Sequence, residues 1–189
     1  MLPRMDSLYL EDLTVGQRFV SATHTVDAGE IQRFAAEYDP QPFHMDDAAA
    51  RNTLFGGLAA SGWHTAGMMM RLIVNGGLPI AGGIIGTGGE LLWTKPVRPG
   101  DTLRVECEIL EITPSRSKRD RGTVIVRCIT LNQRDEMVQS FTPKLVVPRR
   151  TGMEPRMNTD EAKNYILAGL DLARGESVFI RVHPWFQLP

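Results

Sequence analysis

Apolar side chains at Ile31, Phe34, Ala35 and Tyr38 recur at helical spacing, and Asp27 with Glu30 three places on forms a capping box ahead of them. Pro40 and Pro42 disfavour helix for the residues before them, so this helix must stop at Asp39, and Asp39 to His44 is expected to be a rigid loop. A short helical turn is expected from Asp46 to Arg51. From Ser61 to Val74 the apolar residues Trp63, Ala66, Met68, Met69, Met70, Leu72, Ile73 and Val74 cover every face, which predicts a helix enclosed by other structure. Asn75-Gly76-Gly77 supplies its stop.

After Pro79 the pattern becomes β-branched, with strands expected near Ile84–Thr94, Thr102–Ile112, Thr123–Leu131 and Val138–Val147, and one more near Arg18–Val26. Arg98-Pro99-Gly100-Asp101 and Asn132-Gln133-Arg134-Asp135 are the clearest turns. The element order gives an α+β arrangement, an antiparallel sheet of about five strands wrapped around one long apolar helix. Residues 1–150 form this domain. Residues 151–189 read as an extension in which Asn158 and Glu161 cap a short amphipathic helix with Ala162, Tyr165, Ile166 and Leu170 on one side, ended by Gly175. The last stretch, Val178–Pro189, carries Phe179, Trp185 and Phe186 and is expected to pack on the domain or on a partner chain.

At 189 residues and 42% hydrophobic composition, the chain can bury one sizeable core. A formal net charge of -1 provides no general attraction for nucleic acid or anionic lipid. No run approaches the ~18 apolar residues of a membrane helix, and the start lacks the pattern of a signal peptide, so a cytoplasmic protein is expected. Cys107 and Cys128 lie in alternating apolar stretches and read as core thiols of a reducing compartment. No zinc-ligand spacing, phosphate-binding glycine loop or nucleophile elbow is present, so neither a metal nor a resident cofactor is expected.

Chemistry concentrates on Asp39 and His44, five residues apart on the proline-stiffened loop. A carboxylate and an imidazole sharing one water could activate it for addition and return a proton, as hydration of an α,β-unsaturated thioester requires. The same residues are common as turn formers and solvated surface groups, so spacing alone leaves both uses open. At the start of the apolar helix the N–H near Gly62 could receive negative charge from a thioester oxygen. Gly56, Gly57 and Gly62 could equally serve only close packing. Ser115-Arg116-Ser117-Lys118-Arg119 is a basic turn whose Arg116, Lys118 and Arg119 could bind coenzyme A phosphates, or form a solvated hairpin tip. Met68 to Met70 could line an acyl tunnel or simply pack.

The run Tyr38-Asp39-Pro40-Gln41-Pro42-Phe43-His44-Met45-Asp46, followed by Phe55-Gly56-Gly57-Leu58 and Ala60-Ser61-Gly62-Trp63-His64-Thr65, resembles the hydratase segment of MaoC-like dehydratases, a group that includes (R)-specific enoyl-CoA hydratases. Trp93-Thr94-Lys95-Pro96-Val97-Arg98-Pro99-Gly100-Asp101 is similar to that family's strand-and-turn signature, and the likeness spans roughly residues 10 to 148. The resemblance implies a hotdog fold, Asp39 and His44 as catalytic pair, and Gly62 N–H as the oxyanion donor. It also implies an acyl pocket in which Gln41, Phe43, Phe55, Gly57, Ser61 and Met70 meet substrate. Two positions depart from the pattern: Gln41 stands in place of an Asn, and Met70 in place of a hydroxyl residue on the long helix. The implied reaction is reversible hydration of a trans-2-enoyl-CoA to an (R)-3-hydroxyacyl-CoA, with coenzyme A entering only as part of the substrate. The implied assembly is a homodimer or dimer of dimers. A hotdog thioesterase and a non-catalytic acyl-thioester binding subunit are the competing readings.

Overall fold

The computed structural model describes residues 7–150 and, as backbone, 180–183; the expected helix beyond Asn158 lies outside the described residues. Helix α1, Ala28–Tyr38, starts at the expected box: Asp27 Oδ1 accepts from Glu30 N at 2.9 Å and Glu30 Oε1 from Asp27 N at 3.2 Å. Ile31 and Ala35 are its buried residues.

The loop after Asp39 differs from expectation, because Pro42–Met45 closes a helical turn, α2. Proline lacks only an N–H that the first helical residue would leave unpaired, so Pro42 starts this turn instead of preventing it. Asp46 then caps α3, Asp47–Ala50, by accepting from Ala49 N at 2.7 Å.

The long helix α4, Gly62–Leu72, runs into a wider turn over Ile73–Gly77, where Gly76 adopts φ 117 and ends it. Met68, Met69 and Leu72 are buried, but Trp63, Met70 and Val74 are exposed. The helix is therefore enclosed on one side and open on the other within a single chain, and Met70 faces outward at 37% exposure.

The strands are β1 (Arg18–Val20), β2 (His24–Thr25), β3 (Ile85–Trp93), β4 (Thr102–Pro114), β5 (Arg121–Leu131), β6 (Met137–Pro148) and β7 (Ile180–His183). They lie in the order β1-β4-β5-β6-β3-β7, with β2 also on β4, and every pairing is antiparallel except β7 on β3. The strand expected over residues 18–26 is broken at Ser21, whose hydroxyl accepts from Val105 N at 2.9 Å. The parallel β7 had no counterpart among the expected elements. Alternate residues of β4 and β5 are buried, among them Leu103, Val105, Cys107, Val124, Val126 and Cys128, and they share one core with Met68, Met69, Leu72 and Ile73. A sheet curled around a central helix is the expected hotdog fold.

Cys107 and Cys128 are free, buried and opposite each other, with sulfurs 3.2 Å apart. The neighbouring Cys107 thiol and burial push the Cys128 thiol far up. No helix among the described residues is long and apolar enough to cross a membrane.

Candidate active site

Asp39 ends α1, its N–H donating to Ala35 O at 2.9 Å, and the following prolines turn the chain so that α2 brings His44 back toward it. His44 is buried, with Nδ1 2.7 Å from Ala59 O. A carbonyl oxygen only accepts, so Nδ1 carries a hydrogen, and Nε2 is the ring nitrogen turned toward Asp39. Nε2 lies 3.4 Å from Asp39 Oδ2, longer than a good direct hydrogen bond. A water ~2.8 Å from both atoms would sit beside the pair, at the apex of a triangle whose base is that 3.4 Å separation. Two further donors hold the carboxylate: Gln41 Nε2 to Oδ1 and Ser61 Oγ to Oδ2, each at 2.7 Å. Phe43 meets the His44 ring edge-on at 4.5 Å, and Phe55, 5.8 Å from the imidazole and 4.8 Å from Phe43, extends the apolar flank on that same side.

Ser61 caps α4 by accepting from Trp63 N at 3.2 Å. Gly62 N–H, the first of the helix, makes no hydrogen bond to the described residues, and Gly62 borders the cavity. A Cβ on Gly62 would lie 2.7–3.0 Å from the Trp93 indole, so only glycine fits between helix and sheet. Trp93 cannot easily yield, because its Nε1 donates to the buried Gln139 Oε1 at 2.9 Å and the Gln139 amide reaches Met69 Sδ at 3.3 Å. Trp63 stands edge-on to Trp93 at 5.4 Å.

These groups line one cavity of about 670 Å³. Asp39, His44, Gly62, Gln41, Phe43, Phe55 and Ser61 all border it, as do Thr53, Leu54, Trp63, Trp93 and Pro96. The last five were not singled out from the sequence. Trp93 had appeared as part of a strand and of the strand-and-turn signature, not as a site residue, and nothing local reveals which helix residue a strand tryptophan will touch.

Gly57, Met70 and the basic turn are not brought to the cavity. Gly57 instead offers its carbonyl to Arg98 Nη1 at 2.8 Å, and Arg98 also binds Leu58 O and Phe55 O, pinning the loop from beneath. Arg116, Lys118 and Arg119 form the β4–β5 tip. Trp93 sits level with Val105 through the rungs to Gln139 and Thr130. From Val105 to Ser115 the strand extends ~33 Å, so within one chain the basic turn stands at the opposite end of the sheet.

His64, beside the site in sequence, is a core residue stacked on Phe34 at 4.8 Å, and burial holds its pKa below the usual histidine range. Among the described residues no group of three or more His, Cys, Asp or Glu is placed to hold a metal.

A hotdog fold thus brings together an Asp/His pair 3.4 Å apart, the start of α4 at Gly62 and an apolar cavity. Residues 12–131 match the MaoC like domain, and the chain belongs to that family. It is 31% identical over 161 residues to 3-hydroxybutyryl-CoA dehydratase of Methylorubrum extorquens, covering 82% of this chain and 94% of that one. Its fold is similar to a MaoC-like dehydratase from Rhodospirillum rubrum, with 60% identity and a TM-score of 0.76 over 77% of this chain and all (100%) of that one. An unliganded R-hydratase of Pseudomonas aeruginosa matches at 27% identity and a TM-score of 0.60, covering 80% and 96% of the two chains.

Proposed function

We propose that this protein catalyses the reversible hydration of a trans-2-enoyl-CoA to an (R)-3-hydroxyacyl-CoA, with Asp39 and His44 as the acid–base pair. The observation that carries the reading is the 3.4 Å approach of His44 Nε2 to Asp39 Oδ2, with His44 Nδ1 anchored on Ala59 O. A water bridging the two atoms loses one proton to the pair as its oxygen bonds to C3. Negative charge passes to the thioester oxygen, where Gly62 N–H receives it, and C2 takes one proton back from the pair. The hydroxyl and the proton added sum to one water, so no oxidant, reductant or resident cofactor enters the balance. The phenylalanine and tryptophan rings keep the reacting groups dry, which strengthens each of these polar contacts. Relatives named 3-hydroxybutyryl-CoA dehydratase and R-hydratase support the substrate class.

The reading includes a homodimer. Trp63 and Met70 of α4 and Val74 of the turn that follows share one helical face and are exposed, an apolar surface of the kind that a second copy covers.

Hydration of short and medium enoyl-CoAs, assayed beside release of free thiol, tests the function. Asp39→Asn and His44→Ala are each expected to lower kcat/KM at least ~100-fold while leaving acyl-CoA binding intact. Thiol release without hydration, or hydration that survives both substitutions, would overturn the assignment.

A further inference from the structure

Ser61 borders the cavity, and a serine there would ordinarily be read as a substrate contact. Its bonds point elsewhere. The residue is 1% exposed, its oxygen accepts from Trp63 N, and its single hydrogen goes to Asp39 Oδ2 at 2.7 Å. Nothing remains on the hydroxyl to offer a ligand as donor.

Capping a helix needs only the oxygen lone pair, so the direction of the hydrogen is a separate matter, and here it ties two distant elements together. Asp39 comes from the end of α1, and Ser61, 22 residues later, from the start of α4. The bond fixes where the carboxylate stands relative to Gly62 N–H, the next amide along.

We infer that Ser61 is a positioning residue: its hydroxyl sets the distance between the Asp39/His44 pair and the helix-start amide, and it contacts no substrate. Gln41 does the same for Oδ1, but it is exposed, so water can replace its amide and its share is smaller. This inference rests on the hydratase reading for its kinetic consequence and on the geometry alone for its structural one.

Three substitutions separate positioning from capping. Ser61→Ala removes both the cap and the carboxylate bond. Ser61→Gly removes the hydroxyl too, but glycine caps nearly as well as serine. Ser61→Thr keeps both. Positioning predicts that the Ala and Gly variants lose kcat equally, about 10- to 100-fold with little change in KM, although the Gly variant melts higher. The Thr variant stays within about threefold of the parent, and Gln41→Ala falls less than either.

The readout that needs no turnover is the imidazole 15N spectrum of the free protein. The His44 Nε2 signal is expected to move by the same amount in the Ala and Gly variants and to stay in place in the Thr variant. Activity that tracks melting temperature, a rise in KM without loss of kcat, or an unmoved His44 signal would each overturn the inference. An inactive parent protein whose His44 signal still responds as stated would sink the hydratase reading and leave the positioning role standing.

Discussion

The two ends of the sheet both carry charged and polar side chains and arrange them in opposite ways. At the Trp93 end, Gln41 and Ser61 each hold the Asp39 carboxylate by a bond of 2.7 Å, Ala59 O holds His44 at 2.7 Å, and His44 and Ser61 are withdrawn from water. At the β4–β5 tip, the polar groups pair with sequence neighbours in the open, as Arg121 does with Asp120. Exposed pairs of that kind contribute little, because water and salt replace each partner at small cost. What sets the candidate site apart is that buried partners distant in sequence, Ser61 for Asp39 and Ala59 for His44, hold its two titratable groups. Density of charge does not mark it.

The strongest way to break this contrast is Gly62→Ala. The added methyl would lie within 2.7–3.0 Å of the Trp93 indole, and overpacking of this sort costs about 1–3 kcal/mol. In the proposed reaction the same residue supplies the amide for the thioester oxygen, so hydration is expected to fall by ~100-fold as well. Thermal melting and steady-state kinetics read the two losses, and a double change with Trp93→Phe should return part of the stability.

A smaller effect is expected at Glu136, in the β5–β6 turn at the site end. The Asn132 amide, then Lys95 and Arg134, hold its carboxyl down to about 2, below its ordinary 4.5. A depressed carboxyl contributes stability above pH 4.5, and that contribution disappears as pH falls from 4.5 toward 2. Glu136→Gln should therefore flatten the melting temperature over that window and leave neutral-pH kinetics unchanged. An identical acid profile in the variant would rule out the assigned contacts.

The smallest effect is expected at the other end. Replacing Arg116, Lys118 and Arg119 by alanine together should leave KM for an enoyl-CoA within about twofold, because one chain separates this tip from the cavity by ~33 Å. A tenfold rise in KM at low salt, suppressed by added salt, would instead mean that a partner subunit brings its tip to the mouth of the site.

Much of the site was legible as sequence, and the reason is local. Asp39 follows a capped helix and precedes prolines, so its placement at a helix end depends on residues within a turn or two. His44 shares its loop, and Gly62 begins a strongly apolar helix. The cations of the basic turn were equally visible, yet their distance from the cavity was not, because it depends on where β4 starts and how far it runs. Met70 was misplaced for a related reason: an all-apolar helix gives no sign of which side stays open in a single chain.

By itself the sequence determined the elements and their caps, the strand alternation, and the presence of a carboxylate and an imidazole on one stiff loop. Those follow from backbone rules that act over a few residues. Only tertiary structure decided that Trp93 lies under Gly62, that Ser61 gives its hydrogen to Asp39, that Arg98 holds the loop of Gly57, and that β7 joins β3 in parallel. Each of these is a contact between segments far apart in the chain, fixed by strand register and helix docking, and no local pattern carries that information.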